Sequence, residues 1–413
     1  MTNAVFIYSE ELEKYHYPPE HPFNTIRAKK TRNVLNSMGL LSGNGRKEVA
    51  PVPAERVTLK KFHTARYLHA LKTASQGKWD SQALNMGIGT SDCPVFKGLY
   101  EYAVLVTGGT LTAAKLILSG DADVAFNPSG GFHHAHPERA SGFCYINDVA
   151  LACMVLTERG FTAEHAKHAE KQSDINPPDV RRIKIKNSAV SANSAVKKGK
   201  RVLYLDVDVH HSDGVAYAFY DRCDVMTISF HEDPRILFPG TGFEDEIGTG
   251  PGKGYCVNVP LPVGTYDQAY MKAFEEVAVP LMTAFKPDVI VFELGADALA
   301  GDPLAHLYLT NNVYVEIINH LLSLNKPILM TGGGGYNIDN TVRAWALAWT
   351  VLCGADSDTN PLVGGVMLES TDWQGGLRDR ALAVSNQQRD AVMPAIESTI
   401  ETIKASVFPL HGL

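Results

Sequence analysis

The chain has no uninterrupted apolar run reaching the roughly 18 residues that a membrane-spanning helix needs. Its first residues also lack the basic-then-apolar order of a secretory leader, so the cytoplasm is the expected compartment and no membrane partner is expected. Cysteine is sparse. Cys93, Cys144, Cys153, Cys223, Cys256 and Cys353 form no C-x-x-C pair, which speaks against a zinc ribbon or dithiol redox motif and leaves reduced thiols as the expectation. Positive charge is short as well: 38 Lys plus Arg against 45 Asp plus Glu give a net charge of −7, which offers nothing to a phosphate backbone, and direct nucleic-acid binding is not expected. The glycine-rich stretch 248–254 lacks the G-x-x-x-x-G-K-[ST] pattern of a phosphate cradle and reads as loop. No internal repeat is found. What is present is the composition of a soluble globular protein, 45% hydrophobic and 20% charged over 413 residues, enough for a large core and one or two domains.

Short apolar or β-branched runs at 4–8, 123–126, 201–207, 225–230, 289–294 and 327–331 predict buried strands. Helical spacing of apolar residues appears at 102–118, 266–285, 311–324 and 341–352. The alternation predicts an α/β fold, a largely parallel sheet covered by helices on both faces. Ligands of such sheets bind beyond the carboxyl ends of the strands. The segments 127–134, 206–211, 229–231, 295–297 and 332–336, polar or glycine-rich, each follow or end one of the runs and are predicted to converge there. Residues 161–199 are polar and read as an insertion, with a helix at 163–172. His165 and His168 could share a face of it, but no carboxylate partner is implied by their spacing, and a solvated face is the expected reading.

The strongest chemical signal is Asp206-x-Asp208-x-His210-His211 directly after an apolar strand. On an extended strand, residues two apart share a face and aim at one point. Singly, these side chains would read as loop polar groups or helix caps. Together, carboxylates crowded at a sheet rim repel unless a cation or hydrogen-bond donors compensate, so a metal is expected, with Asp297 the natural third ligand. His133 and His134 follow two glycines whose permissive backbone lets adjacent residues serve one site, and an imidazole pair beside an activated water suits amide hydrolysis. Tyr336, delivered by the glycine run 332–335, can donate to an oxyanion as a carbonyl is attacked. Phe143 and Phe238 are either core or binding residues on this evidence; their Gly- and Pro-rich settings leave both open.

Taken in order, His21-Pro22-Phe23-Asn24, Asp92-Cys93-Pro94, the segment 130–134, Ser141-Gly142-Phe143-Cys144-Tyr145, the segment 206–211, Phe238-Pro239-Gly240-Thr241-Gly242, and the segments 295–303 and 332–337 resemble the zinc-dependent histone deacetylase superfamily. The resemblance covers most of the chain and is nearest to the class I branch and to bacterial acetoin-utilisation deacetylases. It implies an arginase-like α/β sandwich, a single catalytic domain over 1–413 with the insertion at 161–199 outside the shared pattern. Asp208, His210 and Asp297 match zinc ligands, with ferrous iron an alternative; His133 and His134 match the tandem histidines, with Asp206 and Asp213 as their carboxylate partners; Tyr336 matches the carbonyl-polarising tyrosine. Phe143, Phe238, Gly142 and Leu304 match the walls of an acyl-lysine tunnel, Asp92 the rim aspartate that holds substrate backbone, and Arg27 an arginine in an acetate cavity behind the metal. Asp206, Asp208, His210, Ser229 and Phe230 match a structural potassium site.

The activity so implied is hydrolysis of N-acetyl-lysine on a protein such as an acyl-CoA synthetase, with acetylpolyamines or other small acetylated amines as the alternative substrate. A non-catalytic acyl-lysine binding module and, more remotely, a two-metal ureohydrolase are the other readings. An oligomer is compatible with the sequence. Two departures from the family pattern stand out. Ser212 occupies a usual glycine position, which questions the local backbone, and Asn24 and Pro303 replace the basic residues with which nuclear class I enzymes grip inositol phosphate.

Overall fold

The structure, a computed structural model, describes residues 2–158, 199–355 and 376–413. The features expected within 161–198, including His165 and His168, lie outside the described residues. Strands β1 (Ala4–Ile7), β2 (Arg46–Val49), β3 (Val124–Asn127), β4 (Val202–Asp206), β5 (Val225–Glu232), β6 (Cys256–Leu261), β7 (Val289–Glu293) and β8 (Ile328–Thr331) form one sheet in the order β2-β1-β3-β8-β7-β4-β5-β6. Every neighbouring pair is parallel.

Alternate strand residues enter two separate cores, which is why the strands read as unbroken apolar runs. Ala4, Phe6, Leu203 and Leu205 face Trp345 and Trp349 of helix Ile338–Leu352, whereas Val5, Ile7, Val202 and Tyr204 face the side of helices Leu99–Ser119 and Asp148–Thr157. Helix Leu99–Ser119 is long and apolar enough to cross a membrane by composition, yet 67% of its most apolar window is buried within the protein. A Cβ at Gly108 would lie 2.0 Å from the Val52 carbonyl oxygen, so glycine lets this helix touch neighbouring backbone.

The six predicted strands are all present. The two missed ones occupy the sheet's edges: β2 reads Arg-Lys-Glu-Val and lies largely at the surface, and β6 is buried throughout but contains Asn258 and Pro260, the proline tolerated because the outer side of an edge strand needs no ladder donor. The helix predicted at 266–285 runs as Asp267–Ala273, a wider π turn at Phe274–Ala278 and Val279–Phe285. Pro280 has no N–H to return to the preceding turn, so a regular α ladder cannot pass through it.

Candidate active site

Strand β4 ends at Asp206, so the extended face expected for the Asp-x-Asp-x-His run is not what aligns it. Side chain-to-backbone turns do so instead: Asp208 N donates to Asp206 Oδ1 at 2.8 Å and His210 N to Asp208 Oδ1 at 2.9 Å. Short polar side chains outcompete the ladder for the backbone here, yet preserve the two-residue period. Asp297, just past the adjacent β7, accepts from Val209 N at 3.0 Å, and His210 Nδ1 lies 3.1 Å from both Asp208 Oδ1 and Asp297 Oδ2.

Glycine makes this convergence possible. Gly334 N donates to Asp208 Oδ2 at 2.6 Å, and a Cβ there would lie 1.9 Å from Asp297 Oδ2. One oxygen or nitrogen atom from each of Asp208, His210 and Asp297 lies within 4.8 Å of the others, all three buried. The cluster demands positive charge. Burial opposes a proton on His210, yet its hydrogen bonds to Asp208 and Asp297 raise it to about 10, while burial and the Asp208 charge raise Asp297 to about 7. A set of two carboxylates and one imidazole, short of cationic charge, fits a divalent cation of the zinc type.

The tandem histidines stand beside this cluster with Nε2 atoms 2.9 Å apart. His133 Nδ1 meets Asp206 Oδ2 at 2.8 Å, and His134 Nδ1 meets Asp213 Oδ1 at 2.7 Å, the two pairings that the family resemblance implies. Their charges differ. Against the cost of burial, Glu293, Asp206 and Asp208 hold His133 well above the usual imidazole range; burial and the charge on His133 press His134 down to about 4, despite Asp213.

Glu293, at the end of β7, escaped the sequence reading. Its Oε1 lies 3.2 Å from His133 Nδ1, and the Tyr204 hydroxyl reaches both its Oε2 (2.8 Å) and Asp206 Oδ2 (2.5 Å). The available signal was an acid inside the otherwise apolar run Val289–Glu293. His133, Asp208 and Glu293 also lie close enough to suggest a second ion. Both nitrogens of His133 are already committed, to Asp206 and His134, so the cluster works as a charge network.

Tyr336 closes the site from the β8 loop, its ring 6.5 Å from His210 and 5.7 Å from Phe143. Burial and the charges of Asp297 and Asp208 hold its phenol well above 10, so it keeps its proton. Asp302, unassigned by sequence, fixes this loop by accepting from Tyr336 N at 2.7 Å and from Leu304 N at 2.9 Å. On the other wall a Cβ at Gly142 would lie 2.2 Å from His134 Cδ2, and Phe143 takes a left-handed φ of 66°, a strained conformation for an aromatic residue. Phe238 is 45% exposed with its ring 5.0 Å from His134, so the open choice for this aromatic resolves toward the site mouth. Asp92 Oδ2 accepts from Gly142 N at 2.8 Å and so supports that wall. Behind Tyr336, Arg27 donates to the Gly335 carbonyl at 2.8 Å and lines a cavity of about 100 Å³ with Phe23, Tyr102 and Trp345.

Of the expected potassium ligands, Asp206 and Ser229 are register partners between β4 and β5, and Glu232 N ties the 207–210 turn to the end of β5 through Val209 O. His211 faces away from the cluster, bonding Thr241 Oγ1 at 2.9 Å and lying 4.8 Å from the His231 ring. Ser212 adopts φ −77°, which any residue allows, so the serine is accommodated; its buried hydroxyl has no hydrogen-bond partner.

His63 supports the tandem histidines from below. Its Nε2 accepts from Asn147 N at 3.0 Å, and Asn147 Nδ2 donates to the carbonyls of His133 and Ala135 at 3.0 Å each. Burial pushes His63 down from 6.5 to about 3. A depressed folded pKa means that the unfolded chain binds the proton first, so this contribution is present above pH 6.5 and is lost as pH falls toward 3. At pH 5 the loss from His63 amounts to about 2 kcal/mol. Denaturant melts at pH 7 and pH 5 should therefore show a shallower acid loss for His63→Gln than for the unaltered chain; parallel losses would contradict it.

Comparison with known proteins extends this geometry to a family. Residues 21–164 and 184–352 match the histone deacetylase domain. The acetoin utilization protein AcuC of Bacillus subtilis is 39% identical over 363 residues, covering 86% of this chain and 84% of that protein. Histone deacetylase clr6 of Schizosaccharomyces pombe is 35% identical over 358 residues, covering 86% of this chain and 78% of its own. Among solved structures, an HDAC homologue from Aquifex aeolicus superimposes with a TM-score of 0.74 at 28% identity, covering 97% of this chain and 100% of that one. Since the domain match takes in the strand-end loops that carry both histidines, the converging Asp208, His210 and Asp297, and the tyrosine, the chain belongs to the histone deacetylase family.

Proposed function

We propose that the chain is a zinc-dependent lysine deacetylase, releasing acetate from N-acetyl-lysine side chains of cytoplasmic proteins, with 1–413 acting as one catalytic domain. The observation that carries this reading is the meeting of His210 with Asp208 and Asp297 at 3.1 Å, directly beside His134 and Tyr336. Asp208, His210 and Asp297 would hold the zinc, or ferrous iron in its place. When bound, such an ion supplies Lewis acidity, polarising the acetyl carbonyl and lowering the pKa of water to about 7. Potassium at Asp206, Asp208, His210, Ser229 and Phe230 is assigned a structural role by the same reading.

His134, neutral at pH 7, takes the proton of the attacking water, and Asp213 stabilises the imidazolium as it forms. Alkyl amines, with pKa values of about 10, leave only when protonated, so His134 then passes this proton to the lysine nitrogen. His133, held charged, contributes positive potential. Tyr336 donates its phenolic proton in a hydrogen bond to the oxyanion. Phe143 and Phe238 flank the aliphatic stem and exclude water.

Rates of acetate release by the purified protein should be compared on acetyl-lysine peptides, acetylated acyl-CoA synthetase peptides among them, and on acetylpolyamines. A preference for the peptides is expected. Preferential hydrolysis of the polyamines would replace the protein substrate with a small amine, and binding without turnover would leave only an acyl-lysine reader.

A further inference from the structure

We propose that His136 is a positioning residue for the proton carrier His134, acting through the carboxylate that both imidazoles share. Asp213 Oδ1 lies 2.7 Å from His134 Nδ1, and its Oδ2 lies 3.0 Å from His136 Nε2. Among the described residues these are the two hydrogen bonds that reach this carboxylate. Asp206, which serves His133, is held otherwise, by a backbone N–H and the Tyr204 hydroxyl. A carboxylate gripped through one oxygen can rotate and exchange oxygens. With a separate imidazole on each oxygen its plane is set, and Oδ1 stays aligned with the ring of His134.

His136 is itself well anchored. Its backbone pairs with Arg139 in both directions, at 2.9 and 3.3 Å, and its ring meets Tyr217 edge-on at 5.5 Å. Asn147 Nδ2 grips the Ala135 carbonyl next to it. The side chain is 29% exposed, at the outer edge of the network and apart from the reacting atoms. It therefore acts through Asp213 alone, and what it must supply is a single N–H donor.

The rate part of the test rests on the deacetylase reading. In zinc-loaded protein, His136→Phe keeps a ring against Tyr217 but lacks the donor, and kcat on an acetyl-lysine peptide should fall about tenfold with KM little changed. His136→Gln, which restores an N–H donor, should recover most of that rate; His136→Ala replaces the Phe variant should the latter fail to fold. Independently of turnover, the imidazole N–H proton that His134 shares with Asp213 should move upfield and broaden in the NMR spectrum of His136→Phe and return in His136→Gln. An unmoved resonance, or equal kcat in the Phe and Gln variants, overturns the proposal. Failure of the unaltered chain to release acetate would instead count against the deacetylase reading, and the resonance would still judge His136.

Discussion

Asp208→Asn is expected to abolish detectable acetate release and to leave the purified protein essentially without zinc. The carboxylate has two tasks at once, since Oδ1 meets His210 and Oδ2 accepts from Gly334 N at 2.6 Å. An amide keeps the shape but removes the negative charge that the cluster needs, and it points N–H at a donor whichever way it turns. Losing groups behind metal ligands typically costs roughly 10–100-fold in affinity or activity, so losing a ligand itself should exceed about 100-fold. Metal content after dialysis, read beside the thermal melt, checks this. A folded variant that keeps one zinc per chain would show that Asp208 is not a ligand.

Tyr336→Phe should lower kcat by about 10²–10³-fold, the equivalent of about 2.7–4 kcal/mol of transition-state stabilisation, with zinc content unchanged. The substitution removes only the phenolic oxygen. The backbone bond from Tyr336 N to Asp302 and the ring contact with Phe143 both survive it. Because burial and the neighbouring carboxylates keep this phenol protonated, it is a donor at every pH where the enzyme would work. Steady-state kinetics on an acetyl-lysine peptide, with zinc measured in parallel, separates the contribution; full rate in the variant would remove Tyr336 from the chemistry.

Much of this site was legible because its residues carry local signatures. Asp206, Asp208 and His210 recur at a fixed interval after an apolar strand, and the glycines at 332–335 mark where backbone must approach carboxylates. The interval was read correctly, although turns and not an extended strand produce it. Glu293, His63 and His136 were not legible, for a common reason: each acts through a contact fixed by tertiary structure, across 160, 84 and 77 positions to His133, Asn147 and Asp213. Glu293 stands out as an acid in an apolar run, but nothing near any of the three in sequence says which partner it meets. The edge strands were missed for different reasons: β2 lies largely at the surface and reads as charged, whereas β6 is buried throughout but has its apolar run interrupted by Asn258 and Pro260.

The central claim is that one metal ion, held by Asp208, His210 and Asp297, drives amide hydrolysis. It is tested most directly by stripping the purified chain with a chelator, adding back zinc in measured steps, and following acetate release from an acetyl-lysine peptide. Activity should vanish on stripping and rise linearly until one equivalent is bound. Undiminished hydrolysis by the metal-free chain, or a rise that continues to two equivalents, would contradict the account.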